Sequence, residues 1–127
     1  EYRSFSEIGT GSQASVYHAK HIDSGKRVAI KHLQDVLNTE MKARAVLREV
    51  TIHKSLSAQQ KGERFVPQMK DLKVIQFKDD HIDVYMVMSY GGQSLASYMQ
   101  RNRHRYNEST VIHLYFNLLR SLAFIHS

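Results

Sequence analysis

Apolar and polar positions change their period several times along this 127-residue chain. Residues 2–34 alternate as strands do and read as three of them, Tyr2–Gly9, Ser15–Ile22 and Arg27–Leu33. The middle strand sends Val16, His18 and Lys20 to one side and Tyr17, Ala19 and His21 to the other. Asp23-Ser24-Gly25-Lys26 is a hairpin turn. Residues 39–56 switch to helical spacing, with Thr39 and Glu40 suited to the start and good helix formers from Met41 to Arg48. Residues 57–67 are polar, contain Gly62 and the only proline, Pro67, and read as a loop. Two more strands follow near 69–77 and 82–89, joined by the turn Lys78-Asp79-Asp80-His81. Tyr90-Gly91-Gly92 breaks the pattern, and helices near 94–102 and 108–126 complete it.

This order predicts an α+β fold. A five-stranded antiparallel sheet with one helix packed on it occupies 1–90, a glycine linker 91–93, and the opening two helices of a helical domain 94–127. The last helix carries Val111, Leu114, Phe116, Leu118, Leu122 and Ile125 on more than one face, so it expects to be buried. The rest of the chain is too small to wrap it. Two arrangements would cover it: further chain of the same domain, or a dimer interface. Glu1 is not an initiator methionine, and the chain reads as cut at both ends.

Composition narrows the chemistry. Hydrophobic residues make up 42%, enough for a core, and with no cysteine there are neither disulfides nor thiolate metal sites. No apolar run approaches the ~20 residues that span a bilayer, and the N-terminus carries no secretory signal, so no membrane partner is expected. The net charge of +6 invites a nucleic-acid reading. However, the basic residues are scattered, as in Lys42/Arg44/Arg48 and Arg101/Arg103/Arg105, with no aromatic stacking platform; no nucleic-acid partner is expected. The eight histidines show no metal-binding spacing, and Asp79, Asp80 and Asp83 belong to a turn region, so no metal ligand is assigned.

The first connection carries the chemistry. Ile8-Gly9-Thr10-Gly11-Ser12-Gln13-Ala14-Ser15-Val16 is a glycine-rich turn between strands, and Val28-Ala29-Ile30-Lys31 follows in the third. Gly9 and Gly11 let backbone N–H groups approach phosphate oxygens with no Cβ in the way. A dinucleotide fingerprint would open a helix there, and a P-loop would end in Gly-Lys-Ser/Thr; neither occurs. Strand alternation puts Ala29 and Lys31 on one face, where a lysine among apolar residues needs a partner or ligand, unless it reaches solvent from the strand end. Glu49 is a partner for it, on a helical stripe with Ala45, Val46, Ile52 and Leu56 that should pack on the sheet. The alternative is an exposed Glu49 paired with Arg44, Arg48 or Lys54 on its own helix.

In these motifs and their order, the whole chain resembles the eukaryotic protein kinase domain: its N-terminal lobe, hinge and the start of its C-terminal lobe. The resemblance implies ATP as cofactor, with the loop from Ile8 through Thr10, Ser12, Gln13 and Ser15 to Val16 over its phosphates. Ile8, Val16 and Ala29 would line the adenine pocket. Lys31, held by Glu49, would contact the α- and β-phosphates. Met88 would be the gatekeeper, the backbone of Ser89 and Gly91 would bond adenine, and Ser94 would lie near the ribose. Leu47-Arg48-Glu49-Val50 and Leu122-Ala123-Phe124-Ile125-His126-Ser127 look like the mitogen-activated and cyclin-dependent kinases. That implies a proline-directed serine/threonine kinase with protein substrates, working inside the cell in cytoplasm and/or nucleus. Ala14 stands where the family usually has a third glycine, and Gln13 replaces an aromatic at the tip. The family's His-Arg-Asp and Asp-Phe-Gly motifs, which supply the base and the Mg2+ ligands, do not occur. His104-Arg105-Tyr106-Asn107 only looks like the first and reads as surface. These 127 residues alone are therefore expected to be inactive, and a nucleotide- or partner-binding pseudokinase or truncated product is the alternative.

Overall fold

A computed structural model describes residues 1–103 and 105–127. Five strands form one antiparallel sheet: β1 (Tyr2–Thr10), β2 (Ala14–His21), β3 (Arg27–Leu33), β4 (Met69–Gln76) and β5 (Ile82–Ser89), in the order β1-β2-β3-β5-β4. Among the described residues, three α-helices accompany it, α1 (Glu40–Ala58), α2 (Leu95–Arg101) and α3 (Glu108–Ile125). The predicted α+β architecture is the observed one, and no helix is long and apolar enough to cross a membrane among the described residues.

Both faces of the sheet are covered where β3 meets β5, which is why these two strands read as nearly continuous apolar runs. Val28, Ile30, Ala19 and Val87 form a core on one face, flanked by Tyr2 and Tyr85. Leu33, Val36, Val84 and Met86 form another on the opposite face, where Val46 and Val50 of α1 pack against them. Met86 and Val87 are successive in β5, point to opposite faces, and are the two largest fully buried side chains.

Thr39 starts α1 as expected, its hydroxyl accepting the Lys42 N–H at 3.2 Å. The stripe turned toward the sheet differs from the expected one. Val46, Glu49 and Leu56 are partly covered, but Ala45 is exposed and Ile52 is 51% exposed; Val50 and His53 occupy that side instead. The helix has no fully buried residue, so a few neighbours set its rotation rather than an apolar stripe of its own.

The expected loop at 57–67 is more ordered than its composition suggests. Helix α1 runs on to Ala58, and a 3-10 turn covers Gly62–Arg64. Gly62 is buried, and a Cβ there would lie 2.6 Å from the Leu56 carbonyl oxygen, so no larger residue is tolerated. The turn presents Phe65 to α3, where it stacks on Phe124 with centroids 5.0 Å apart and lies under Arg120. Before α2, Gly92 adopts φ +87°, which L side chains rarely adopt. Of the stretch that resembles a catalytic loop, His104 lies outside the described residues. Asn107 caps α3 through the Thr110 N–H at 2.8 Å, a local structural reason for an asparagine there.

Helix α3 leaves Ile112, Tyr115, Phe116 and Leu118 more than half exposed. We expect this chain to self-associate through that face, and Ile112→Lys with Tyr115→Lys to reduce the association in sedimentation velocity. Met86→Ala should cost about 2–5 kcal/mol in urea unfolding, because it empties a fully buried site between β5 and α1.

Candidate functional site

The β-sheet register decides which candidate residues share a face. Residues directly opposite in antiparallel strands project to the same side. Gly9 lies opposite Val16, Val16 opposite Lys31, and Lys31 opposite Met86, making one row across four strands. The neighbouring row joins His18, Ala29 and Met88. The α1 face of the sheet therefore carries Val16, Ala29, Lys31 and Met88 together. A register slip of one residue would send every one of them to the other side.

Lys31 Nζ donates a hydrogen bond to the Glu49 carboxylate, joining β3 to α1 across 18 positions of sequence. The alternative partner for Glu49 on its own helix is not used; Arg44 instead binds Glu40, with Nη2 2.6 Å from its carboxylate. The two side chains remain 25% and 38% exposed, so the pair is held in place without being sealed from solvent. An ammonium so placed has donors left for a second anion.

The glycine turn is tight. The Gly11 N–H donates to the Ala14 carbonyl at 2.8 Å, and the Thr10 hydroxyl donates to Glu7. Ser12 and Gln13 form the exposed tip, and Ser15 pairs with Thr10. A Cβ built on Gly9 would meet nothing within 4 Å, and one on Gly11 would make only an ordinary 3.8 Å contact. Neither carries a positive φ. The free fold thus has no need of glycine at either position. A register shift between Glu7 and Gly9 leaves Ile8 in a bulge, half exposed.

At the far end of β5 the groups are partly committed. The Ser89 N–H donates to the Gln68 carbonyl at 2.8 Å, so only the carbonyl of Ser89 remains as a candidate contact, beside the Gly91 backbone. Ser94 is the N-cap of α2, its hydroxyl accepting the Ser97 N–H at 3.2 Å. Two residues here were not singled out for this site from sequence. His18 packs on Tyr90 with ring centroids 4.8 Å apart, and the Arg27 guanidinium lies 5.2 Å from the centre of the same ring. The linker ring is thus clasped by the sheet. The even spacing of His18 and Val16 was the available signal, since it puts both on the Lys31 side.

Residues 2–127 match the family described as Protein kinase domain. Among relatives, the chain is 26% identical to human mitogen-activated protein kinase 12 over 126 residues, covering 99% of this chain and 33% of that protein. It is 27% identical to cyclin-dependent kinase B2-1 of Oryza sativa subsp. japonica, covering 98% of this chain and 38% of that protein. Mitogen-activated protein kinase 2 of Arabidopsis thaliana is 28% identical, over 100% of this chain and 32% of that protein. The chain spans about a third of the length of these three relatives.

Since the pair is partly open to water, it contributes little to stability. Lys31→Met and Glu49→Gln should each change the unfolding free energy by no more than about 1 kcal/mol in urea titration. A larger loss would make the pair a structural element.

Proposed function

The chain belongs to the protein kinase domain family, and from that premise we propose that it is the nucleotide-binding part of a serine/threonine kinase that moves the γ-phosphoryl group of ATP to protein hydroxyls. The Lys31–Glu49 pair carries this reading. It sets a fixed cation on the same sheet face as Val16 and Ala29, in one row with the open glycine turn. Lys31 draws the α- and β-phosphates, and Glu49 keeps the ammonium from swinging away. Gly9 and Gly11, which the fold itself does not require, let the turn close on the phosphates.

Val16, Ala29 and Ile8 form the apolar wall for adenine, Met88 bounds its depth, and the Ser89 carbonyl and Gly91 backbone meet its polar edge. On this reading 1–90 is the N-terminal lobe, 91–93 the hinge, and 94–127 the start of the C-terminal lobe. The protein works inside the cell, where its co-substrate ATP is held.

Magnesium accompanies ATP in this family. The described residues contain no group of three or more histidine, aspartate or glutamate side chains able to hold a metal ion. Its ligands are not assigned among these residues. Nor is the base that takes the proton from the substrate hydroxyl assigned to them. What these residues do is bind and orient.

The test compares the full-length protein with residues 1–127, using radiolabelled ATP and a protein substrate. The full-length protein should transfer phosphate, Lys31→Met should reduce kcat by at least about 100-fold, as removal of a transition-state charge contact does, and residues 1–127 alone should transfer none. Full transfer by Lys31→Met would overturn the role of Lys31. Nucleotide binding without any transfer would favour a pseudokinase.

A further inference from the structure

Among the described residues, Asp83 at the start of β5 is the one buried charged side chain, 6% exposed. Three separate segments converge on its carboxylate. His32 of β3 approaches with Nε2 at 2.7 Å from Oδ2. The Asp35 N–H, in the linker between β3 and α1, donates to Oδ1 at 2.8 Å. His81, in the β4–β5 turn, places Nε2 3.9 Å from the same Oδ1 while its Nδ1 meets Asp79 at 2.6 Å. Burial by itself would raise the Asp83 carboxyl, but the Asp35 N–H, the His32 hydrogen bond and the nearby His32 and His81 outweigh it and hold the carboxyl below its ordinary value of 3.8. An ionised carboxylate only accepts, so His32 carries its proton on Nε2. The His32 ring is kept in place by stacking on Tyr85, 4.3 Å away and within 6° of parallel.

The linker is also held by its own residues, with Val36 in the core beside Leu33, Val84 and Met86. Asp35 sits at φ +43°, in the left-handed region that a non-glycine residue holds only when its surroundings enforce it. The next residue, Val36, is 5% exposed and donates its N–H to the Ile82 carbonyl at 2.8 Å. Ile82 and Asp83, successive in β5, thus grip successive residues of the linker.

The opposite end of α1 is tied elsewhere. The Ser57 hydroxyl accepts the Met69 N–H at 2.9 Å, and His53 meets the Pro67 carbonyl at 2.7 Å. Between these two anchorages α1 has no fully buried residue. Glu49 lies in this middle stretch, where its distance from Lys31 depends on both ends.

We propose that Asp83 is a positioning residue for the Lys31–Glu49 pair: by fastening the β3–α1 linker to β5 it sets where α1 presents Glu49. Released from Asp83, the N-terminal half of α1 pivots about Ser57 and His53, and Glu49 leaves Lys31. The functional weight of this rests on the reading of Lys31 given above; the placement of α1 does not.

The chain contains no cysteine, so spin labels can be placed without background. Labels at Lys20→Cys and Arg48→Cys, both exposed, report the distance from the sheet to α1 by pulsed dipolar EPR. Asp83→Ala should roughly double the width of the distance distribution as α1 populates swung-out positions. Val87→Ala, on the other face of the sheet, should lower stability and leave the distribution narrow, which separates positioning from general loosening. If Asp83→Ala does not fold, Asp83→Asn is read in its place. Its amide has one acceptor oxygen for the two donors of Asp35 and His32, and it should broaden the distribution too.

A distribution as narrow as that of the unmodified chain, in whichever of the two variants is read, overturns the proposal. No nucleotide is present, so that outcome leaves the role of Lys31 to be decided by Lys31→Met alone. The acid limb supplies an independent check. The lowered carboxyl stabilises the fold above 3.8 and loses that contribution as the pH falls through its own value, so the stability gap between the unmodified chain and Asp83→Ala should shrink below pH 3.8.

Discussion

A charged ammonium on the helix-covered face of a β-sheet is the constraint from which the arrangement follows. Lys31 lies between Ala29 and Leu33 along β3 and between Val16 and Met86 across the sheet, among apolar neighbours on every side. Access to water keeps such a charge hydrated, and a counter-charge fixes where it points. Glu49 provides the first, and the partial opening of the pair provides the second. Helix α1 must therefore approach the sheet closely enough for contact and yet not seal it. Its sparse packing, with Val46 and Val50 as the apolar contacts on the core, is the structural form of that compromise.

The cost of a loosely packed helix is that something else must hold it. Polar anchors share that work with apolar area: Ser57 and His53 near its end, and the Asp83 carboxylate ahead of its start. Hydrogen bonds of this kind define direction, which a hydrophobic contact does not. A helix held in this manner keeps one orientation while remaining free of the deep burial that would make its movement expensive.

Much of this was legible in the residue pattern. The bounds of β3 and β5, the cap at Thr39, the turn at 78–81 and the two closing helices follow from local alternation, capping and turn chemistry, and the structure places them within a residue or two. The pairing of Lys31 with Glu49 was legible because a lysine in an apolar strand and a glutamate on a packed helix each need a partner. Other features were hidden. The ordered turn at Gly62–Arg64 depends on a close approach to the Leu56 carbonyl and on Phe124, more than 50 residues away, which no local window contains. Val50 rather than Ile52 lies on the covered side of α1 because that side meets Leu33, Val36, Val84 and Met86, which come from distant segments. Asp83 was read as part of a turn region, and its pairing with His32 was not foreseen, because a polar residue in a short strand gives no sign of a partner 51 positions away.

The sequence by itself determined the elements, their order, the opposite faces of β3 and the family to which the chain belongs, because alternation, capping and the spacing of glycines act over a few residues. Tertiary structure decided what those elements do to one another. The register put Gly9, Val16, Lys31 and Met86 in one row, Ile82 and Asp83 bound the linker ahead of α1, and Phe65 met Phe124. Each of these joins residues far apart in the chain, and their energies exist only once the sheet has closed and removed water from between them.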